Sequence, residues 1–167
     1  MSIEIPVLHS DPWLLAVHKP AGLLSQPGLG PDRADSLITR LQQQWPTARL
    51  VHRLDQATSG LLLLALDPLT HRELSRAFAE RRVRKTYLAW VQGCPTGRGG
   101  RIEAPLARIG TQPPRYGLVP VAEGGKTALT RWRLLEPGST TGAAESLLLL
   151  APRTGRSHQL REIGRAS

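Results

Sequence analysis

Hydrophobic and polar positions alternate in short runs through the first part of the chain, and these runs predict strands. Apolar residues at 3–8 and 13–18 indicate two strands around a proline turn. Residues 49–54 indicate a third strand, and the continuous apolar run 61–66 predicts a buried fourth strand. Polar residues fill 56–60, so we expect a loop between the last two strands.

A longer hydrophobic period predicts helices at two places. Apolar residues recur every four positions in the segment 35–44, and Asp35 can cap a helix that begins there. A second helix is expected over 70–82, because Thr70 and Glu73 have the spacing of a capping box. Each helix would bury one apolar face.

The rest of the chain alternates strands and loops less regularly. Strands are predicted at 85–92, 126–135 and 146–151, whereas the prolines and glycines of 101–125 indicate an irregular segment. A helix is expected to begin at Ser157. Because strands and helices do not alternate one for one, the pattern favours a mixed α+β sheet over a doubly wound parallel sheet.

Length and composition indicate one globular domain. The chain has 167 residues, of which 40% are hydrophobic, and this suffices for a packed core. Cys94 is the only cysteine, which excludes an intrachain disulfide and a zinc cluster built on cysteines. The first residues lack the order of a signal peptide, and no apolar run approaches the roughly 18 residues of a membrane span. We therefore predict a cytoplasmic protein without a membrane partner.

The charge of the chain narrows the choice of partner. Twenty-two lysines and arginines stand against 13 acidic residues, giving a formal net charge of +9, and most of the basic residues are arginine. Arginine suits phosphate because its planar guanidinium donates two hydrogen bonds at once. A nucleic acid is therefore one candidate partner. An arginine-rich codon usage would give the same composition, so composition alone leaves both explanations open.

The sharpest chemical feature is the segment 52–60, which reads HRLDQATSG. It lies between two predicted strands, and loops held by rigid strands commonly carry catalytic groups. Its carboxylate, Asp55, could act as a nucleophile or as a general base. Taken alone, an aspartate in such a loop is more often a loop cap or an ion-pair partner than a catalytic group.

The run HRLDQATSGLLLLA at 52–65 resembles the signature of the RluA family of RNA pseudouridine synthases. Further matching segments follow the family's order at 18–24, 84–89, 125–128 and 154–161. The spacing is most similar to the short RluA-type branch that has no S4-like domain. The resemblance implies a single pseudouridine synthase catalytic domain over 1–167, with a mixed, mainly antiparallel central sheet and flanking helices and loops.

The resemblance also implies a reaction and a substrate. Such enzymes break the N1–C1′ bond of a uridine, rotate the uracil and rejoin it through C5, in large-subunit ribosomal RNA and/or tRNA. Nothing is oxidised and no group leaves, so an aspartate can suffice without metal or cofactor. Asp55 corresponds to the essential aspartate of the family. A glycosidase would need two carboxylates, and the matching motifs hold no second acidic residue.

Other residues take their expected roles from the same resemblance. Arg53 would fill the base stack that the flipped uridine leaves, Tyr87 would stack on the uracil, and Arg161 would pair with Asp55 and keep it ionised. The alternatives are an exposed ion pair for Arg53, core packing for Tyr87, and a phosphate or surface contact for Arg161.

Four further basic residues are candidate RNA contacts, and two histidines are predicted to be structural. The candidate contacts are Lys19, Arg84, Lys85 and Arg156. The histidines, His52 and His158, are expected to orient backbone. The predicted partner is structured RNA, bound by a monomer.

The end of the chain departs from the family pattern. Members of the family continue well past the position of Arg161, whereas this sequence ends at Ser167. From the sequence we expect that the C-terminal segment of the family is missing. A catalytically impaired, RNA-binding remnant is therefore the alternative to a working synthase.

The basic excess generates a prediction about salt. Each arginine–phosphate contact releases condensed counterions, so the logarithm of RNA affinity should fall linearly with log salt, by roughly 0.7–0.9 per contact. A filter-binding titration from low to physiological salt measures this slope. An affinity that does not change with salt would contradict phosphate binding by the arginines.

Overall fold

The computed structural model describes residues 4–111, 114–138 and 145–163. Residues 139–144, between the predicted strands at 126–135 and 146–151, and the final residues 164–167 lie outside the described residues. The chain divides into two compact units, Met1–Arg82 and Val83–Ser167, each with its own antiparallel sheet. The predicted α+β class with mainly antiparallel pairing is confirmed, and the strands form two sheets. The assignment of one catalytic domain to 1–167 stays a prediction.

The first unit contains a four-stranded sheet in the order β1-β2-β4-β3. Its strands are β1 (Val7–Ser10), β2 (Leu14–Lys19), β3 (Arg49–Leu50) and β4 (Gly60–Ala65). The fully buried Leu15 and Val17 of β2 lie opposite Leu64 and Leu62 of β4, which are also fully buried. The expected strands at 13–18 and 61–66 are therefore confirmed, and their paired leucines and valine form the core of this unit.

Both helices of the first unit differ at their ends from the prediction. Helix α1 (Leu37–Leu41) is capped by Ser36, whose side chain accepts the Thr39 amide, whereas the expected cap Asp35 pairs with Arg40. Helix α2 (Pro68–Ala79) begins two residues earlier than predicted. Its cap is Asp67, which accepts the Leu69 and Thr70 amides at 2.8 and 3.0 Å, and proline fits the first turn. The capping-box interpretation of Thr70 and Glu73 was therefore wrong.

The second unit contains a five-stranded sheet in the order β5-β9-β8-β6-β7. Its elements are β5 (Tyr87–Gln92), β6 (Gly99–Thr111), β7 (Pro114–Leu118), β8 (Lys126–Glu136), β9 (Glu145–Pro152) and the short helix α3 (Gln159–Ile163). The prediction of an irregular segment at 101–125 was wrong, because β6 pairs with β8 from Gly99 to Leu106. This pairing is a tertiary interaction that the local prolines and glycines do not reveal.

The two faces of β4 generate a stability prediction. Leu62 is fully buried, whereas its neighbour Leu61 is 56% exposed. Leu62→Ala should lower the free energy of unfolding by about 2–5 kcal/mol, because it removes buried methyl groups and leaves a cavity. The control Leu61→Ala should change it by less than about 0.5 kcal/mol. Urea denaturation measures both, and equal losses would show that β4 does not have these two faces.

Candidate active site

Asp55 lies in a segment of the first unit that follows β3 and belongs to no strand. The expected strand at 49–54 ends at Leu50, so the prediction of its length was wrong. Leu54 is buried, whereas Arg53 is exposed and Asp55 is half-buried. The Asp55 carbonyl accepts the Thr58 amide at 3.0 Å, which closes a turn directly after the carboxylate. Arg53 and Asp55 therefore flank a buried anchor residue.

The backbone on both sides of Asp55 is bound by the segment 19–25. On one side, the Ser25 hydroxyl contacts both backbone polar groups of Leu54. On the other, the Gln56 carbonyl accepts the Gly22 amide at 2.8 Å, and the Gln56 side chain donates to the Gly22 carbonyl at 3.0 Å. The segment 19–25, which overlaps the family-like segment 18–24, therefore holds the HRLD segment in place.

Lys19 is fully buried at the end of β2, and its ammonium group is bonded to backbone oxygens. It donates to the carbonyls of Pro20 and Leu23 at 2.8 and 2.7 Å, and to that of Gln56 at 3.2 Å. Burial lowers the pKa of this ammonium, and the negative charge of Asp55 acts in the opposite direction. The prediction that Lys19 contacts RNA is therefore corrected, because its side chain is buried and supports the Asp55 loop.

His52 fixes the other end of the same loop. Its Nε2 atom accepts the Leu63 amide at 3.0 Å, so the imidazole binds β4 at a backbone position. The ring also stacks on Phe78 of α2, with ring centroids 4.4 Å apart and planes 19° from parallel. The prediction that His52 orients backbone is confirmed by these contacts.

In the second unit, Tyr87 begins β5 and Arg161 lies in α3. Tyr87 is half-buried and pairs with Leu150 of β9, whereas Arg161 is exposed. The Arg161 amide donates to the carbonyl of His158, which adopts a left-handed backbone with φ 54°. The carbonyl of His158 also accepts the Glu162 amide, whereas the structural role expected for the His158 side chain stays a prediction.

A buried amide organises the segment 154–161 against β8. Gln159 is 5% exposed, and its side-chain oxygen accepts the Thr154 hydroxyl at 2.8 Å and the Arg156 amide at 3.0 Å. Its side-chain nitrogen donates to the Leu129 carbonyl and to the hydroxyl of the fully buried Thr130. Sequence reasoning missed this role of Gln159, although the residue stands within a recognised motif.

The remaining predicted RNA contacts occupy this second unit. Arg84 is exposed just before β5, and Lys85 is half-buried with its ammonium near Gly155. Arg156 is half-buried, and its Nε donates to the Thr127 carbonyl at 3.1 Å. Their contacts with RNA stay predictions.

The described ranges 4–111, 114–138 and 145–163 contain neither a candidate metal site nor a candidate membrane span. No three histidine, cysteine, aspartate or glutamate residues of these ranges come together in a way that could hold a metal ion. No helix there is both long and apolar enough to cross a membrane.

The family model described as RNA pseudouridylate synthase matches residues 13–164, which is most of the chain. The chain therefore belongs to the RNA pseudouridylate synthase family, a family of enzymes, as the resemblance implied.

Named relatives support the same assignment. The chain is 44% identical over 158 residues to the dual-specificity RNA pseudouridine synthase RluA of Yersinia pestis, covering 93% of this chain and 73% of the relative. It is 42% identical over 155 residues to the protein of the same name from Escherichia coli K12, covering 93% and 68%.

Two solved structures share the fold. Human RNA pseudouridylate synthase domain containing 1 superposes with a TM-score of 0.82 at 30% identity, covering 98% of this chain and 65% of the other. Human RNA pseudouridylate synthase domain containing 4 gives a TM-score of 0.70 at 26% identity, covering 93% and 62%. The chain thus spans less than two thirds of these solved chains.

The buried position of Lys19 generates a test of its corrected role. Lys19→Met keeps an apolar stem but removes the ammonium donor from the Pro20 and Leu23 carbonyls, while the Gln56 carbonyl keeps the Gly22 amide. The free energy of unfolding should therefore fall by about 1–3 kcal/mol. The slope of log RNA affinity against log salt should not change, because a buried ammonium contacts no phosphate. Lys126→Met, which alters an exposed side chain, should leave stability within about 0.5 kcal/mol. A reduced salt slope in the Lys19 variant would restore the RNA-contact interpretation.

Proposed function

We propose that this chain isomerises uridine to pseudouridine in structured RNA and that Asp55 is its catalytic carboxylate. The observation that carries the proposal is the HRLD segment at 52–55, whose backbone is held on both sides of the half-buried Asp55. Membership of the RNA pseudouridylate synthase family supports the reaction class. The names of the RluA relatives support RNA as substrate and more than one target.

The reaction requires few catalytic groups, and this agrees with a loop in which Asp55 is the carboxylate. The N1–C1′ bond breaks, the same uracil turns, C5 bonds to C1′, and the proton on C5 leaves as N1 becomes protonated. Asp55 would act as nucleophile or as base in this sequence. The target base must leave its helix, and the exposed Arg53 next to Leu54 would fill the vacated stack.

The proposed roles of the remaining residues and the proposed target RNAs follow from the resemblance to the family. Tyr87 would stack on the uracil, and Arg161 would keep the catalytic carboxylate ionised by its positive charge. The target RNAs would be large-subunit ribosomal RNA and/or tRNA, and the site would need no metal or cofactor. The protein would act as a monomer in the cytoplasm. The comparisons contain nothing that favours the alternative of a remnant that only binds RNA.

The proposal is tested by Asp55→Asn, which keeps the side-chain volume and removes the ionised oxygen. Tritium release from C5-labelled uridine should fall by at least about 10³-fold, because a residue that takes part directly in bond making cannot be replaced by its neighbours. RNA affinity should stay within about threefold, because a neutral amide removes no phosphate contact. The substrate is RNA from Escherichia coli K12 cells that lack their own RluA.

The matched control is Asp32→Asn, which neutralises an exposed aspartate in a short turn of the same unit. It should release tritium at the rate of the unaltered chain. Full activity of the Asp55 variant, or an unaltered chain that binds this RNA and releases no tritium, would contradict the proposal.

A further inference from the structure

The Ser25 hydroxyl occupies an unusual position between two backbone groups of one residue. It donates to the Leu54 carbonyl at 2.7 Å and accepts the Leu54 amide at 3.2 Å. Ser25 is 3% exposed and Leu54 is 7% exposed, so water has little access to these bonds. One side chain therefore satisfies both main-chain polar groups of the residue that precedes Asp55.

This contact replaces a strand partner that Leu54 lacks. Strand β3 ends at Leu50 and β4 begins at Gly60, so the intervening residues belong to neither strand. Buried backbone amides and carbonyls need hydrogen-bond partners, because an unsatisfied group loses its interaction with water. Ser25 supplies both partners across 29 positions of sequence.

Ser25 is itself fixed by helix α1. The carbonyl of Leu24 accepts the Leu37 amide at 2.7 Å, and the carbonyl of Ser25 accepts the Ile38 amide at 3.2 Å. These amides belong to the first turn of the helix, where no intrahelical acceptor is available. The hydroxyl therefore starts from a backbone that a helix end holds in place.

We propose that Ser25 is a positioning residue for Asp55, an inference that rests on the proposed function. By fixing the Leu54 peptide groups, the hydroxyl limits rotation about the bonds that lead to Asp55. Lys19 and Gly22 hold Gln56 on the other side, so Ser25 completes the support of the carboxylate. A shift of about 1 Å in a reacting group can cost up to roughly 10²-fold in rate.

The experiment compares Ser25→Ala with Ser146→Ala. Ser146 is a matched buried serine of the second unit, because it is fully buried, donates to the Gly93 carbonyl at 2.7 Å and accepts the Gly138 amide at 3.0 Å. Its two backbone partners belong to different residues. Both substitutions remove one buried hydroxyl from two backbone groups, and urea denaturation shows whether each variant is folded. Of these two serines, Ser25 alone is hydrogen-bonded to a sequence neighbour of Asp55.

Ser25→Ala should lower kcat for pseudouridine formation by about 10- to 100-fold with KM within about threefold, because the substrate still binds while the carboxylate is displaced. Ser146→Ala should keep kcat within about twofold. Unchanged kcat in Ser25→Ala, a rise in KM alone, or the same loss of kcat in both variants would overturn the inference.

Amide hydrogen exchange by NMR supplies a readout that does not depend on activity. In Ser25→Ala, the Leu54 amide and the Thr58 amide, which donates to the Asp55 carbonyl, should exchange at least about tenfold faster. Exchange at these two amides in Ser146→Ala should equal that of the unaltered chain. If the unaltered chain makes no pseudouridine, the proposed function fails. The exchange rates of these two amides then decide by themselves whether Ser25 fixes the Asp55 loop. Unchanged exchange of both amides in Ser25→Ala would overturn the role of Ser25.

Discussion

The loop that carries Asp55 depends on a buried cation. Removing an ammonium group from water costs several kcal/mol. In Lys19 this cost is offset by three carbonyl oxygens that accept its hydrogen bonds and by the negative charge of Asp55. One of those carbonyls belongs to Gln56, which ties the end of β2 to the residue after Asp55. The position of the carboxylate is therefore linked to the charge of a lysine that does not touch solvent.

Side-chain support of the backbone recurs in other family-like segments and beside them, at positions outside regular strands. Ser25 binds the backbone beside Asp55, His52 binds the backbone of β4, and Gln159 binds β8 and the segment that leads to Arg161. In each case a buried or half-buried side chain hydrogen-bonds a backbone group of another segment. A site that must hold a reacting geometry to a fraction of an ångström needs this support. It also explains why the motifs contain polar residues that need not contact a substrate.

Sequence periodicity predicted much of the fold where a single face of a strand is buried. Five strands lie close to their predicted positions, because the spacing of their apolar residues matches the side-chain period of a strand. These strands are β2, β4, β5, β8 and β9. The errors lie where a tertiary contact overrides local preference. Strand β6 pairs with β8 despite its prolines and glycines, and the predicted strand at 49–54 stops at Leu50.

The candidate site could be located from the sequence, but its support could not. Asp55 and Arg53 stand out because five motifs follow a family's order, and family membership is confirmed. Lys19 was misassigned because a lysine next to a proline turn gives no sign of burial. Ser25 and its partner Leu54 are 29 positions apart, so no spacing rule joins them. Hydrogen bonds of this kind become visible only once the chain is folded.

The support of the Asp55 loop matters for function only if this chain turns uridine into pseudouridine at chosen positions. The most direct measurement is nucleotide-resolution mapping of pseudouridine in RNA from Escherichia coli K12 cells that lack their own RluA and express this chain. If Asp55 is the catalytic carboxylate, new pseudouridines appear at a small set of uridines, and all of them are absent when the expressed chain carries Asp55→Asn. No new pseudouridine, or the same set with the Asp55 variant, would contradict it.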